Sequence, residues 1–312
     1  MARRQRSCFA SQLVVASLVL SACAASSAGE PTTTSSTNSA PLTPSTTLAP
    51  TTTSSTSTTT TSTTTTTSTT LPATTTTLVE LPPIDAEIKI PQGDGPFPAV
   101  VLVHGGGWVS GDPGLMRGLA NHLTDAGFIT VNTRYKLSND SPGFPDALED
   151  ITCSVNHARA LPESDGTVAV IGHSAGAHLS AVVALTGDQY AGDCAVPGSG
   201  IPDKLVGLAG PYDVDRLGLL MLPFFGASPI GAPDAWLAGN PQRLTDENTN
   251  LVSLIMYGDQ DGIVDDSFAF DFHNALLNSG SDSVLELVEG ARHMNVRQPA
   301  WVGDLIVVWL ER

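Results

Sequence analysis

Residues 31–77 are almost entirely Thr, Ser and Pro and carry no charge. Such a stretch cannot bury enough apolar surface to offset the entropy of ordering its backbone, so no core can include it. With its flanks it makes a linker over residues 24–83, and the foldable chain is residues 84–312. That part has roughly 230 residues, enough for one large α/β domain. The Thr/Ser/Pro tract spans ~40 Å as a flexible coil and ~150 Å as extended polyproline II, which suits a tether holding a domain off a membrane.

Residues 1–23 read as an address. Arg3, Arg4 and Arg6 precede an apolar run at residues 13–20, LVVASLVL. A run this short is the core of a signal peptide and cannot span a bilayer. Leu20, Ser21, Ala22 and Cys23 then resemble the bacterial lipobox, in which the Cys thiol receives diacylglycerol and becomes the mature N-terminus. Several acyl chains on one residue anchor stably where one chain is marginal. The resemblance implies an exported, membrane-anchored lipoprotein on the cell surface or periplasmic side, touching the membrane only through Cys23. A plain secretory signal with a chance cysteine is the alternative.

Charge and cysteine content narrow the classes further. The chain has 14 Lys+Arg against 31 Asp+Glu, a net charge of −17, which argues against a nucleic-acid binder. The sequence has no run of eighteen apolar residues, so no spanning helix is expected. Four cysteines are too few for a disulfide scaffold. Cys153 and Cys194 are the pair within the foldable part, and in an oxidising compartment they read as one disulfide; two buried thiols are the alternative. No His, Cys and carboxylate residues stand at metal-site spacing, so no metal site is expected.

After residue 83, strands alternate with helices. Residues 84–90 alternate apolar and polar, as a half-buried edge strand does. Residues 97–103, FPAVVLV, are nearly all apolar, as in a strand covered on both faces. Further strands are predicted at residues 128–132, 167–171, 204–209, 251–257 and 283–289. Helices are predicted at residues 115–126, 146–161, 175–186, 266–278 and 299–311. This rhythm predicts an α/β fold: a mostly parallel central sheet with helices on both faces, and active residues on loops beyond the carboxyl ends of the strands. Residues 213–245 break the rhythm with Pro223, Pro229, Pro233 and Pro241, and read as an insertion over the site; its apolar residues 219–225 are candidates to line an acyl pocket.

The chemistry lies at the ends of three strands. Gly172, His173, Ser174, Ala175 and Gly176 join a predicted strand to a predicted helix. A serine at so sharp a turn is held in a strained conformation that projects its hydroxyl, and side chains two residues away on either side would collide. The following helix offers free N–H groups and a positive dipole end to a developing oxyanion. Upstream, His104, Gly105, Gly106, Gly107 and Trp108 follow the strand FPAVVLV directly. Three glycines let backbone N–H groups approach a tetrahedral intermediate.

With HGGGW, Arg134 and Tyr135 after the next strand, and then GHSAG, residues 84–312 resemble the α/β-hydrolase superfamily, and within it HGGG-type esterases of the BD-FAE and arylformamidase kind. The resemblance implies a nucleophile at Ser174 and an oxyanion hole built from the N–H groups of Gly106, Gly107 and Ala175. It implies a structural His104. The acid should follow a late strand. GDQDGIV at residues 258–264 is similar to the family's H-G-x-x-D-x-x-V pattern, which places the carboxylate at Asp261, with Asp259 as runner-up. Tyr257 and Asp265 depart from that pattern. The base falls at His293, a few residues after the strand VLELVEG; His273 lies mid-helix, and His122, His157 and His178 fall in helices where surface or satisfied positions explain them. The order Ser174, Asp261, His293 is that of the superfamily.

What the resemblance implies is a cofactor-free serine carboxylesterase acting on small-molecule esters of short to medium acyl chain. An arylformamidase or a carbohydrate acetyl or feruloyl esterase shares the machinery. An inactive surface binding module on the same scaffold is a third reading.

Overall fold

The computed structural model of the protein describes residues 81–312. The signal segment with Cys23, and the linker as far as residue 80, lie outside the described residues. Among the described residues, seven strands make one sheet: β1 (Ala86–Lys89), β2 (Phe97–Val103), β3 (Ile129–Thr133), β4 (Ser164–His173), β5 (Lys204–Leu208), β6 (Val252–Gly258) and β7 (Asp282–Val288). Their spatial order is β1-β3-β2-β4-β5-β6-β7. Only β1 pairs antiparallel, with β3, and every other pair is parallel.

The pleat explains why β2 reads as continuous apolar sequence. Ala99, Val101 and Val103 join one buried cluster while Val100 and Leu102 join the other. Strand β4 divides the same way, Val168 and Val170 against Ala169 and Ile171. Successive side chains point to opposite faces, so a strand covered on both sides needs no polar positions. The first face carries α2 (Asp146–Ala160), α3 (Ala175–Thr186) and α7 (Ser267–Ser279); the second carries α1 (Arg117–Asp125) and α8 (Pro299–Leu310). All twelve residues of α3 are buried, which is why its sequence, AGAHLSAVVALT, lacks a polar stripe.

Element boundaries moved for local reasons. Helix α1 starts at Arg117 because Pro113–Leu115 forms a separate 3-10 turn, in which the Asp112 carboxylate accepts from Gly114 N. Strand β4 outruns its apolar core because pairing to β2 and β5 continues through Gly172 and His173. Cys153 of α2 and Cys194 form a disulfide that ties the excursion between α3 and β5 to α2.

The insertion folds into short helices α4 (Val214–Leu217), α5 (Leu222–Phe225) and α6 (Pro233–Ala238), joined by 3-10 turns. Its aromatic residues face inward: Phe225 stacks on Trp236 at 4.7 Å between ring centroids, and Phe224 lies against Phe225 and Phe144. Phe224 and Phe225 are therefore buried anchors and not an open acyl lining; of that run, Leu219 and Leu220 are the strongly exposed apolar residues. The reason is that a short helix without disulfide or long amphipathic face holds to the body only by burying its largest side chains.

Candidate active site

Strand β4 ends at His173 and α3 begins at Ala175, leaving Ser174 alone to reverse the chain, at φ 55° and ψ −121°. This is a left-handed conformation that costs a non-glycine residue on the order of 1–3 kcal/mol unless its surroundings enforce it. They do so partly through Ser174 N–H, which donates to Leu208 O at 2.8 Å. The two flanking glycines are dictated by contact. A Cβ on Gly172 would lie 2.2 Å from Gly176 O, and one on Gly176 would lie 2.2 Å from Val103 O. Both obstacles are backbone and cannot swing aside. Among the described residues, Ser174 Oγ makes no hydrogen bond.

The loop after β2 runs beside this elbow: a Cβ placed on Gly105 would come within 3.1 Å of Ser174 Cβ. Three successive residues of the loop are left-handed, Gly106 at φ 134°, Gly107 at 61° and Trp108 at 63°. Gly106 O accepts from the N–H groups of Val109 and Ser110 and from Ser110 Oγ, which closes the turn. The amides of Gly106, Gly107 and Ala175 make no hydrogen bond among the described residues and remain free donors. His104 is buried under the loop, its ring bonded to Gly105 O at 2.8 Å and stacked on Tyr135 at 4.4 Å. Burial lowers its pKa, so the ring is neutral packing material.

The third group sits between the loops after β6 and β7. Asp261 Oδ2 lies 2.7 Å from His293 Nδ1, with the two side chains only 4% and 6% exposed. Asp261 Oδ1 accepts from the N–H groups of Ile263 at 2.8 Å and Val264 at 3.0 Å. Burial pushes the Asp261 carboxyl up, but the bonds from His293 and the two amides outweigh it and hold the group below its ordinary value. An ionised Asp261 requires the proton on His293 Nδ1, leaving Nε2 bare to accept one. Asp259 points elsewhere: its Oδ1 accepts from Gly290 N at 2.6 Å. The two loops are further tied by Gln260 N–H donating to Ala291 O.

Of the sequence-predicted groups, the structure joins Asp261 to His293 and brings the glycine loop against Ser174. His273 stays apart on α7, bonded to Ser283 Oγ at 2.9 Å. Sequence reasoning passed over His173, the variable residue of the G-x-S-x-G turn. His173 is buried, its Nε2–H donates to His293 O at 2.9 Å, and the two rings lie 4.8 Å apart. Burial, with the neighbouring His293, pushes its pKa down to about 3. Nothing in the sequence marks it, because its partner lies 120 residues away. Among the described residues, no cluster of His, Cys, Asp and Glu is arranged to hold a metal ion.

A mainly parallel sheet flanked by helices, with a serine elbow between β4 and α3, defines the α/β-hydrolase fold. The BD-FAE family profile matches residues 87–276, and the chain belongs to that family. The match stops short of the loop that carries His293. Among characterised relatives, the chain is 36% identical over 92 residues to esterase LipI and 41% identical over 103 residues to carboxylic ester hydrolase LipN, both of Mycobacterium tuberculosis. These matches cover 28% and 30% of this chain and only 28% and 26% of the relatives' length. Kynurenine formamidase avaC of Aspergillus versicolor is 28% identical over 135 residues, 38% of this chain and 45% of that protein. A truncated carbohydrate esterase from gut microbiota superposes with a TM-score of 0.62 at 20% identity, over 72% of this chain and 89% of the other. The butyrate-bound esterase Est2 of Thermogutta terrifontis gives 0.59 at 20% identity, over 72% and 86%. Those two likenesses are of fold.

Proposed function

We propose that the protein is a serine carboxylesterase that hydrolyses short- to medium-chain carboxylic esters through Ser174, Asp261 and His293 and an acyl-enzyme intermediate. The observation that carries this reading is the buried 2.7 Å pair of Asp261 and His293. A carboxylate committed to Nδ1 serves to fix an imidazole whose other nitrogen takes a proton. In the reaction, His293 Nε2 accepts the Ser174 hydroxyl proton as Oγ attacks the acyl carbon. The amides of Gly106, Gly107 and Ala175 bind the oxyanion. Collapse of the intermediate passes the proton to the leaving alcohol. Water, deprotonated by His293, then attacks the acyl-enzyme, and the acid leaves with Ser174 restored. Kinship with esterases LipI and LipN supports the ester reading.

The partial match to kynurenine formamidase avaC supports a formamide as the second substrate class for the same groups. Export with a lipid on Cys23 belongs to the same proposal, supported by the lipobox-like residues 20–23 and by the disulfide, a bond typical of oxidising compartments.

The test is hydrolysis of p-nitrophenyl acetate, butyrate and octanoate, and of N-formylkynurenine, by the wild-type protein and Ser174→Ala. Turnover that falls at least about a thousandfold in the variant is expected. Equal background rates in both would overturn the simple-ester and formamide readings and leave a carbohydrate esterase or a binding module.

A further inference from the structure

Two buried histidines bracket Ser174, and the scheme above uses neither His173 nor His178. His178 lies one turn into α3 and is fully enclosed. Trp108 Nε1–H donates to its Nδ1 at 3.1 Å, and its Nε2–H donates to Gly239 O at 2.8 Å. Both ring nitrogens are committed, and an indole N–H can only donate, so the bond demands an unprotonated Nδ1.

Trp108 follows Gly107 directly and shares its left-handed backbone, in a conformation that side-chain-bearing residues seldom adopt. The side chain is what holds it there. Its indole meets His178 edge-on at 5.5 Å, and Phe224 of the insertion packs against both rings, at 6.3 and 5.8 Å. Its carbonyl accepts from Ser138 N–H at 2.8 Å. The glycines before it have no side chain with which to fix themselves. Beside the three bonds to Gly106 O that close the turn, the Trp108 side chain is the anchor next to the loop's free amides, and its indole N–H is held by His178.

We propose that His178 is a positioning residue of the glycine loop: through the Trp108 indole it sets the amides of Gly106 and Gly107 for the tetrahedral intermediate, and through Gly239 it locks that setting to the 213–245 insertion. The inference rests on the esterase reading of Ser174. Amides aimed at an oxyanion favour the transition state over the ground state, so a misplaced loop lowers kcat and spares KM. A histidine that merely fills the core would affect stability alone.

The experiment compares wild type, His178→Leu, His178→Asn, Trp108→Phe and the double variant Trp108→Phe/His178→Leu, with p-nitrophenyl butyrate as probe. His178→Asn offers an amide oxygen near the Nδ1 position, and Trp108→Phe keeps a ring but removes the donor. The expected result is a kcat loss of about tenfold or more in His178→Leu and Trp108→Phe, with KM within about twofold and the pH profile of kcat/KM unmoved. The double variant should be no worse than the poorer single one, and His178→Asn should recover most of the loss. The Trp108 indole proton resonance, identified by its absence from Trp108→Phe, should move upfield in His178→Leu and return in His178→Asn. Unchanged kcat in a folded His178→Leu, or losses that multiply in the double variant, would overturn the proposal; if His178→Leu fails to fold, Trp108→Phe with wild-type kcat overturns it. A wild-type protein inert on every ester and formamide would instead overturn the esterase reading, and an indole resonance indifferent to His178 would then overturn the link itself.

Discussion

The Asp261 carboxylate meets His293 Nδ1 at 2.7 Å across 32 residues of sequence, from a loop that also gives it two amide donors. Asp259, two residues earlier, instead holds the Gly290 amide. The two acids follow the same strand and have opposite duties, so their amide variants should separate. Asp261→Asn cannot enforce the Nδ1–H tautomer and should lower kcat by about a thousandfold or more. Asp259→Asn should stay within about tenfold of wild type. Steady-state kinetics on one ester decides it, and a reversed order would reassign the acid.

The glycine loop makes a paired prediction. A Cβ at Gly106 would sit 1.9 Å from Ser110 O, whereas one at Gly107 would meet nothing within 4 Å. Gly107→Ala should therefore fold, at a cost of about 1–2 kcal/mol for its left-handed backbone. Gly106→Ala must displace the turn, and with it an amide of the proposed oxyanion hole, so kcat should fall by about a hundredfold or more. Urea melts and kcat of the two variants are the measurements; a Gly106→Ala enzyme with wild-type kcat would remove that amide from the mechanism.

The buried histidines make the fold acid-sensitive. Burial holds His173 down to about 3 and His178 down to about 4, while an unfolded histidine titrates near ~6.5. Between those values the unfolded chain binds more protons, so stability falls as pH drops below about 6.5. Each histidine should cost up to about 2 kcal/mol on going from pH 7 to pH 5. Asp261, held below its ordinary value, adds a loss only at lower pH, as acid protonates it. Denaturant unfolding at the two pH values tests this, and His178→Asn should shrink the difference. A pH-independent midpoint would mean that the rings are not held neutral.

Cys153 and Cys194 close a loop with a separation of 41 residues. Chain entropy makes such a cross-link worth about 4 kcal/mol at most. The Cys153→Ser/Cys194→Ser double variant should unfold at correspondingly lower denaturant, while kcat per folded molecule stays near wild type. An unchanged midpoint would mean that the excursion between α3 and β5 is held by its other bonds, such as Arg159 to Ile201 O and Asp203.

The amino-acid sequence by itself determined what depends on neighbours along the chain. Strands β2 and β4 were readable because two-sided burial removes polar positions, and helices α2 and α3 because Pro162 and Gly187 punctuate them. The Ser174 elbow was readable because the collisions that demand Gly172 and Gly176 arise within five residues, and the end of β2 supplies the rest. Tertiary structure alone decided which of Asp259 and Asp261 faces His293, a matter of where two loops cross. It alone turned Phe224 and Phe225 inward, and it alone gave His173 and His178 their partners, at separations of 120, 70 and 61 residues. A histidine on a helix carries no local mark of what it will bond to. For His178 the partners are the Trp108 indole and Gly239 O, which arrive from the glycine loop and the 213–245 insertion, and only the assembled fold brings them within hydrogen-bond distance.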